Sequence, residues 1–183
     1  TDHAEISDVA RQHGADVVDR PADLATDEIN ERPAVRHAIE ALENDGIHAD
    51  KVCVLYPTAC LIVPKDLRTS RDLFETEHPR PDAVLGVSPY PIHPYKALEA
   101  SQDGYLTPVW PEQNLRRSQD MPRYVASNGT FYWVTSAIFK ETLSVYTERL
   151  VGYTLPASRA VDIDEPDDLF FAEALMRAIA ARS

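Results

Sequence analysis

Short, nearly continuous apolar runs alternate along this chain with segments whose apolar residues recur every three or four positions. Ile6, Val9 and Ala10 share one face of a helix predicted from His3 to His13, with Asp2 as its cap and Gly14 as its stop. Ala15 to Val18 reads as a short strand, and the polar stretch from Asp19 to Asn30 as a loop. A second helix, Glu31 to Asn44, carries Val35, Ile39 and Leu42 inward and ends at Gly46. Lys51 to Tyr56 is almost wholly apolar, the pattern of a strand buried on both faces of a parallel sheet. Pro57 ends it, Pro64 opens a helix to Glu77, and Ala83 to Val87 is another buried strand. This alternation predicts an α/β sandwich. Ligands of such open sheets gather beyond the carboxyl ends of the strands, which puts the loops at 19–30, 57–64 and 88–97 on the functional edge.

From Ser88 to Ser127 the texture changes. Prolines recur at 89, 91, 94, 108, 111 and 122, and no helical period is visible. A stretch of about 40 such residues is too long for an ordinary connection and reads as a substrate-covering insertion or an interface arm. Regular patterning returns with a strand at Gly129–Val134, a short helix at Ser136–Leu143 and a strand at Leu150–Leu155. A last helix, Glu165 to Ala180, has Leu169, Ala172, Leu175, Met176 and Ile179 as its apolar stripe. No internal repeat or second domain boundary interrupts the pattern, so residues 1–183 read as one domain.

Composition narrows the class. The 183 residues hold 18 Lys+Arg against 30 Asp+Glu, a formal charge of -12, and 44% are hydrophobic. An acidic surface of that kind argues against nucleic acid and anionic membranes as partners, and leaves anionic substrates to a few placed cations or a metal. No window reaches the roughly 20 apolar residues of a membrane-spanning helix, and no signal-peptide pattern opens the chain. Two cysteines, Cys53 and Cys60, form no disulfide framework and read as core packing in a reducing, cytoplasmic compartment.

The strongest chemical feature is Val161-Asp-Ile-Asp164, followed by Glu-Pro-Asp-Asp168. In extended chain Asp162 and Asp164 point to the same side, a ready pair for a hard cation such as Mg²⁺. Asp164 also precedes a helix and has a structural alternative as its N-cap. Arg20-Pro-Ala-Asp-Leu-Ala-Thr-Asp27 offers Thr26 and loop amides to a phosphate, or only turn bonds. His93-Pro-Tyr-Lys96 and Asn114-Leu-Arg-Arg-Ser-Gln-Asp120 bring cations into an acidic chain; Lys96 and Arg117 suit a carboxylate or phosphate, Arg116 reads as surface charge and His93 as structural. Ser127-Asn-Gly129 is a turn before a strand, or an amide that reads sugar hydroxyls. No G-x-S-x-G elbow, G-x-G-x-x-G or Walker loop is present.

Taken in order, Arg20–Asp27, Tyr56-Pro-Thr58, His93–Lys96, Arg117-Ser-Gln-Asp-Met-Pro122, Asn128-Gly129 with Tyr132, and Val161–Asp164 resemble the cytidylyltransferases that activate nonulosonic acids, the sialic acid type of sugar. The resemblance spans almost the whole chain. It implies a three-layer nucleotide-diphospho-sugar-transferase-like α/β sandwich with a mostly parallel sheet and a proline-rich insertion at 88–127. It also implies a reaction of CTP with a nonulosonic acid to give the CMP-sugar and pyrophosphate. By the same resemblance Asp162 and Asp164 are catalytic and hold Mg²⁺, Arg20, Thr26 and Asp27 lie near the nucleotide, and Tyr56, Thr58, Lys96, Arg117, Gln119, Asn128 and Tyr132 surround the sugar. A homodimer is implied, with the insertion reaching into the neighbouring site.

The chain departs from the family's pattern in places. Members usually carry a glycine-rich basic loop after the first strand, and none precedes Thr1, so a longer natural chain is expected; the alternative is an inactive fragment or a sugar- or nucleotide-binding module of the same fold. Tyr56, Ala59-Cys60 and Phe131-Tyr-Trp133 look like the pseudaminic acid branch, whereas His93–Lys96 and Asn128-Gly129 look like the sialic and legionaminic acid side.

Overall fold

The computed structural model describes residues 1–76 and 79–181. In chain order its elements are α1 (Ala4–Gln12), α2 (Glu31–Asn44), β1 (Lys51–Leu55), α3 (Pro64–Thr76), β2 (Ala83–Pro89), β3 (Leu98–Ala100), β4 (Leu106–Pro108), α4 (Pro111–Asn114), β5 (Val125–Thr135), α5 (Ser136–Thr142), β6 (Leu150–Thr154) and α6 (Pro166–Ala180). Four strands form one sheet in the order β1-β5-β2-β6, and β3 pairs with β4 as a separate antiparallel hairpin.

Strand directions follow from the ladder. β1 and β5 are antiparallel, from Lys51 opposite Thr135 to Leu55 opposite Phe131. Thr135 donates its N–H to the Asp82 carbonyl at the start of β2, and the Asn128 amide reaches Ser88 at its end, so β5 also runs against β2. The Asp82 N–H meets the Arg149 carbonyl and the Leu155 N–H meets the Val87 carbonyl, so β2 and β6 run together. β1, β2 and β6 therefore point one way and β5 the other. β5 reaches this place through the 88–127 segment, a connection much longer than an antiparallel pair requires.

The chain divides into two compact units, with β2, β5 and β6 passing from one to the other. The first holds Thr1–Leu55, Leu67–Leu85 and Phe131–Val151. Successive β5 side chains alternate across the sheet there. The Trp133 indole N–H donates to Ser70 of α3 at 3.0 Å, and Phe74 of α3 is buried beneath the Lys51 ammonium, 5.5 Å from its ring centre. On the opposite face the Tyr132 ring lies 6.0 Å from Phe139 of α5, whose neighbour Lys140 pairs with Glu43 of α2 at 2.6 Å. The result is a helix–sheet–helix sandwich, as the sequence implies. Asn30 caps α2 by accepting the Arg32 N–H, and Gly46, at φ +81°, provides the left-handed stop.

Several local expectations change in this unit. His3, not Asp2, stands at the α1 cap, and α1 buries Ser7 while Ile6 and Val9 face outward. Ala15 to Val18 forms no strand among the described residues; the Val18 carbonyl accepts from the Thr1 ammonium at 2.9 Å. β1 is half-buried, with Leu55 exposed, because it lies at the end of the strand order. Burial pushes the Cys53 thiol up to about 11. The predicted helix end at Glu77 lies outside the described residues.

The second unit holds Tyr56–Asp66, Gly86–Thr130 and the chain from Gly152. Leu61, Val161 and Ala172 form its core, flanked by Ile163, Leu175 and Ile179. The α6 stripe is thus narrower than predicted: Ala172, Leu175 and Ile179 pack inward, while Leu169 and Met176 remain half-exposed. Cys60 is exposed rather than packed, because it sits in the turn where its N–H meets the Thr58 carbonyl. The 88–127 segment is not featureless. It carries the β3–β4 hairpin, α4 and tight helical turns at Pro94–Lys96 and Ser118–Asp120, each too short to show a period in sequence. Pro94 and Pro111 open two of these turns, where a missing N–H costs nothing.

Asp66, 2% exposed, ties this unit together. Its carboxylate accepts from the Val63 N–H at 3.2 Å, the Tyr153 hydroxyl at 3.1 Å and the Arg159 guanidinium. Asp66→Ala leaves Arg159 without its buried counter-charge and is expected to cost about 3–5 kcal/mol in urea unfolding. Asp66→Leu combined with Arg159→Met should recover most of that loss, since it removes both charges together.

Candidate active site

The site in the second unit starts from one backbone conformation. Gly129 sits at φ +63°, in the left-handed region that side chains disfavour, and an ideal Cβ there would lie 1.7 Å from Asp162 Oδ2. Only a residue without a side chain lets the Asp162 carboxylate occupy this place. Asn128, one residue earlier, is fixed from both ends: its Nδ2 donates to Ser88 Oγ at 3.1 Å and its Oδ1 accepts from Thr130 Oγ1 at 2.6 Å. Its amide retains further donor and acceptor capacity. The Tyr56 N–H meets the Thr130 carbonyl at 2.9 Å, so the turn carrying Tyr56 and Thr58 is fastened to the residue after Gly129.

Residues 161–164 form an irregular segment rather than the end of a strand, and Asp164 is not the helix cap. Glu165 takes that position, and the Asp168 carboxylate accepts from the N–H groups of both Asp164 and Glu165, at 3.1 and 2.9 Å. The capping alternative for Asp164 therefore falls. Among the described residues neither Asp162 nor Asp164 has a side-chain hydrogen bond or ion pair. No group of three or more His, Cys, Asp or Glu suited to a metal occurs among those residues. Two unengaged carboxylates fit Mg²⁺, which keeps several waters and is held by one or two carboxylates plus substrate phosphates.

Within the 88–127 segment, Lys96 Nζ donates to the carbonyls of Asn114 and Arg116, the latter at 2.8 Å, and so fastens the start of the loop that carries Arg117 and Gln119. Arg117 is exposed and pairs with Asp120 at 2.8 Å; Gln119 is exposed. His93 is structural: Nδ1 accepts the Tyr95 N–H, and Nε2 faces the Pro122 carbonyl at 3.0 Å. The Tyr95 and Tyr124 hydroxyls meet at 2.7 Å, and their rings pack edge to face beside His93.

The remaining candidates lie in the first unit. Arg20 bonds Asp2, with Nε at 3.0 Å, and holds that carboxyl below its ordinary range. Thr26 and Asp27 are exposed in the loop that follows. Tyr132 is 2% exposed; burial first, and the Glu31 charge second, push its hydroxyl well above the usual tyrosine range. Sequence reasoning missed the contact of Gly129 with Asp162. Asn-Gly signals a turn, but nothing local connects it to a residue more than thirty positions away.

Two outcomes follow from this geometry. Gly129→Ala should destabilise by about 1–3 kcal/mol from strain and clash together, and adding Asp162→Gly should return the clash portion in a double-mutant cycle of urea midpoints. Folded Tyr132 keeps its proton where the unfolded side chain loses it, so stability should fall as pH rises above about 10. Tyr132→Phe should flatten that slope in denaturation curves measured across alkaline pH.

No protein-family model matches the chain. Individual relatives do. A pseudaminic acid cytidylyltransferase of Campylobacter jejuni is 29% identical over 179 residues, covering 97% of this chain and 76% of the relative. A CMP-N,N'-diacetyllegionaminic acid synthase of Legionella pneumophila is 30% identical over 180 residues, covering 96% and 75%. Among solved structures, a CMP:2-keto-3-deoxy-manno-octonic acid synthetase complexed with CTP superposes with a TM-score of 0.66 at 14% identity, over 97% of this chain and 79% of that one. A 4-diphosphocytidyl-2C-methyl-D-erythritol synthase gives 0.64 at 12% identity, over 95% and 76%. At such identities the two structures establish the α/β nucleotidyltransferase fold and nothing finer. The sequence relatives settle the rest: the chain belongs to the family of CMP-nonulosonic acid cytidylyltransferases.

Proposed function

We propose that this protein transfers the CMP group of CTP to a nonulosonic acid, releasing pyrophosphate. The observation that carries the reading is the Asp162 carboxylate seated against Gly129, two residues from an Asp164 that the helix cap does not use. In the reaction the anomeric hydroxyl of the sugar attacks the α-phosphorus of CTP in line. A new phosphorus–oxygen bond forms, the bond to the pyrophosphate oxygen breaks, and the hydroxyl proton leaves to solvent. Such a transfer is mainly positioning plus neutralisation of phosphate charge. Asp162 and Asp164 would hold Mg²⁺, which when bound supplies charge neutralisation at the triphosphate.

The chain's own residues do the positioning. Arg20, Thr26 and Asp27 are assigned to the nucleotide; Arg20 already binds a carboxylate, and an exposed bridge of that kind exchanges at little cost for a phosphate. Tyr56, Thr58, Lys96, Arg117, Gln119, Asn128 and Tyr132 are assigned to the sugar. Tyr132 serves as a neutral hydroxyl, and Asn128 as an amide whose orientation is fixed by Ser88 and Thr130.

The acceptor is pseudaminic or legionaminic acid, the two chemistries named by the relatives. The working form is a homodimer in which the 88–127 arm serves the neighbouring site. Exposed Leu106, Val109, Tyr105 and Leu115 on that arm support an isologous contact. No helix among the described residues is long and apolar enough to cross a membrane. The two free cysteines suit a reducing compartment, and the reaction is assigned to the cytoplasm.

The test is phosphorus NMR of the full-length protein with CTP, Mg²⁺ and each acid in turn. Equal amounts of CMP-sugar and pyrophosphate are expected. Asp162→Asn should lower turnover by about two orders of magnitude or more with the melting temperature nearly unchanged. Normal turnover with lost stability would make Asp162 structural instead.

A further inference from the structure

The 88–127 segment holds four cations in a chain of net charge -12, and three of them are engaged. Lys96 is held by two carbonyls. Arg116 bonds Gln113 Oε1 at 3.0 Å and the Asp120 carbonyl at 2.7 Å. Arg117 faces the Asp120 carboxylate. Of these four, Arg123 is the one without a hydrogen bond or an ion pair to the described residues. It lines a cavity of about 450 Å³ together with Lys96, Ser118, Tyr90, Ile92 and Tyr124.

The lining of this cavity is chemically mixed. Arg123 carries a guanidinium fork, Lys96 has a third N–H beyond the two carbonyls it serves, and Ser118 brings a hydroxyl. The same lining includes the rings of Tyr90 and Tyr124 and the aliphatic Ile92, which is largely exposed. His93 also lines the space, but both its ring nitrogens are occupied. A small anion with an apolar substituent fits such a cavity. The planar fork of Arg matches a carboxylate by paired parallel hydrogen bonds.

We infer that Arg123 is a substrate-binding residue that captures the carboxylate of the acid sugar at this cavity, with Lys96 as a second positive charge. The inference rests on the reaction proposed above and adds a residue that its motifs leave unassigned. Arg117, which pairs with Asp120 in this conformation, keeps its place among the residues assigned to the sugar.

The experiment is calorimetric titration of the full-length protein at fixed ionic strength with pseudaminic acid, N,N'-diacetyllegionaminic acid, the methyl ester of each, and CTP. Arg123→Gln should weaken binding of the acid that the wild type takes by about tenfold to a hundredfold, and leave the ester and CTP unchanged. Arg123→Lys should restore part of the loss, because a point charge cannot reproduce the paired contact. Equal binding of the acid by wild type and Arg123→Gln would overturn the assignment alone, as would equal losses for acid and ester. Weakening of CTP in place of the acid would also overturn it, by making Arg123 a phosphate ligand. A wild type that takes up CTP but neither acid would overturn the proposed reaction together with this residue.

Discussion

Strand β5 lies between β1 and β2 and its second half is covered on both faces, and the placement of the candidate site follows from how it meets those demands. Phe131, Tyr132 and Val134 are almost completely buried, and Trp133 reaches Ser70 on the other side of the sheet from Tyr132. Its second half therefore fixes helices to both faces of the first unit. Its first half, in the second unit, carries Asn128 and Gly129 within the strand. The Asn128 amide on Ser88 holds that stretch against β2. A strand so constrained cannot slip by one residue without turning every buried ring to the wrong face.

Against that fixed strand the acidic segment is placed with little freedom. Val161 and Ile163 pack into the core, and the Asp162 carboxylate between them lies against Gly129. Asp168 holds the N–H groups that an aspartate before a helix usually serves, and the two carboxylates are left with their charge unspent. Carboxylates without a donor are what the proposed role asks for, since a hard cation such as Mg²⁺ is held by one or two carboxylates together with substrate phosphates.

The fold class was legible in the sequence because buried strands and capped helices write periodic, local patterns. α2 is the clearest case: Asn30 and Gly46 mark its ends and Ile39 its inward face. The reading fails where an element depends on partners elsewhere in the chain. Ala15 to Val18 has the composition of a strand, but among the described residues it joins no sheet. Leu169 and Met176 keep helical spacing, yet the core offered by Leu61, Val161 and Ile163 reaches only Ala172, Leu175 and Ile179. The candidate site divides in the same way. Asp162 and Asp164 stand out by spacing alone, whereas the seat at Gly129 and the unengaged state of Arg123 are properties of three-dimensional neighbours.

The proposed function requires that Asp162 and Asp164, left free by Gly129 and the helix cap, share one cation. Anomalous diffraction from Mn²⁺ in crystals of the full-length protein grown with CTP would locate it. One strong peak is expected within about 2.5 Å of carboxylate oxygens from both aspartates, with the Asp162 side chain still against Gly129. A peak bound elsewhere in the protein, with Asp162 and Asp164 bare, would contradict it.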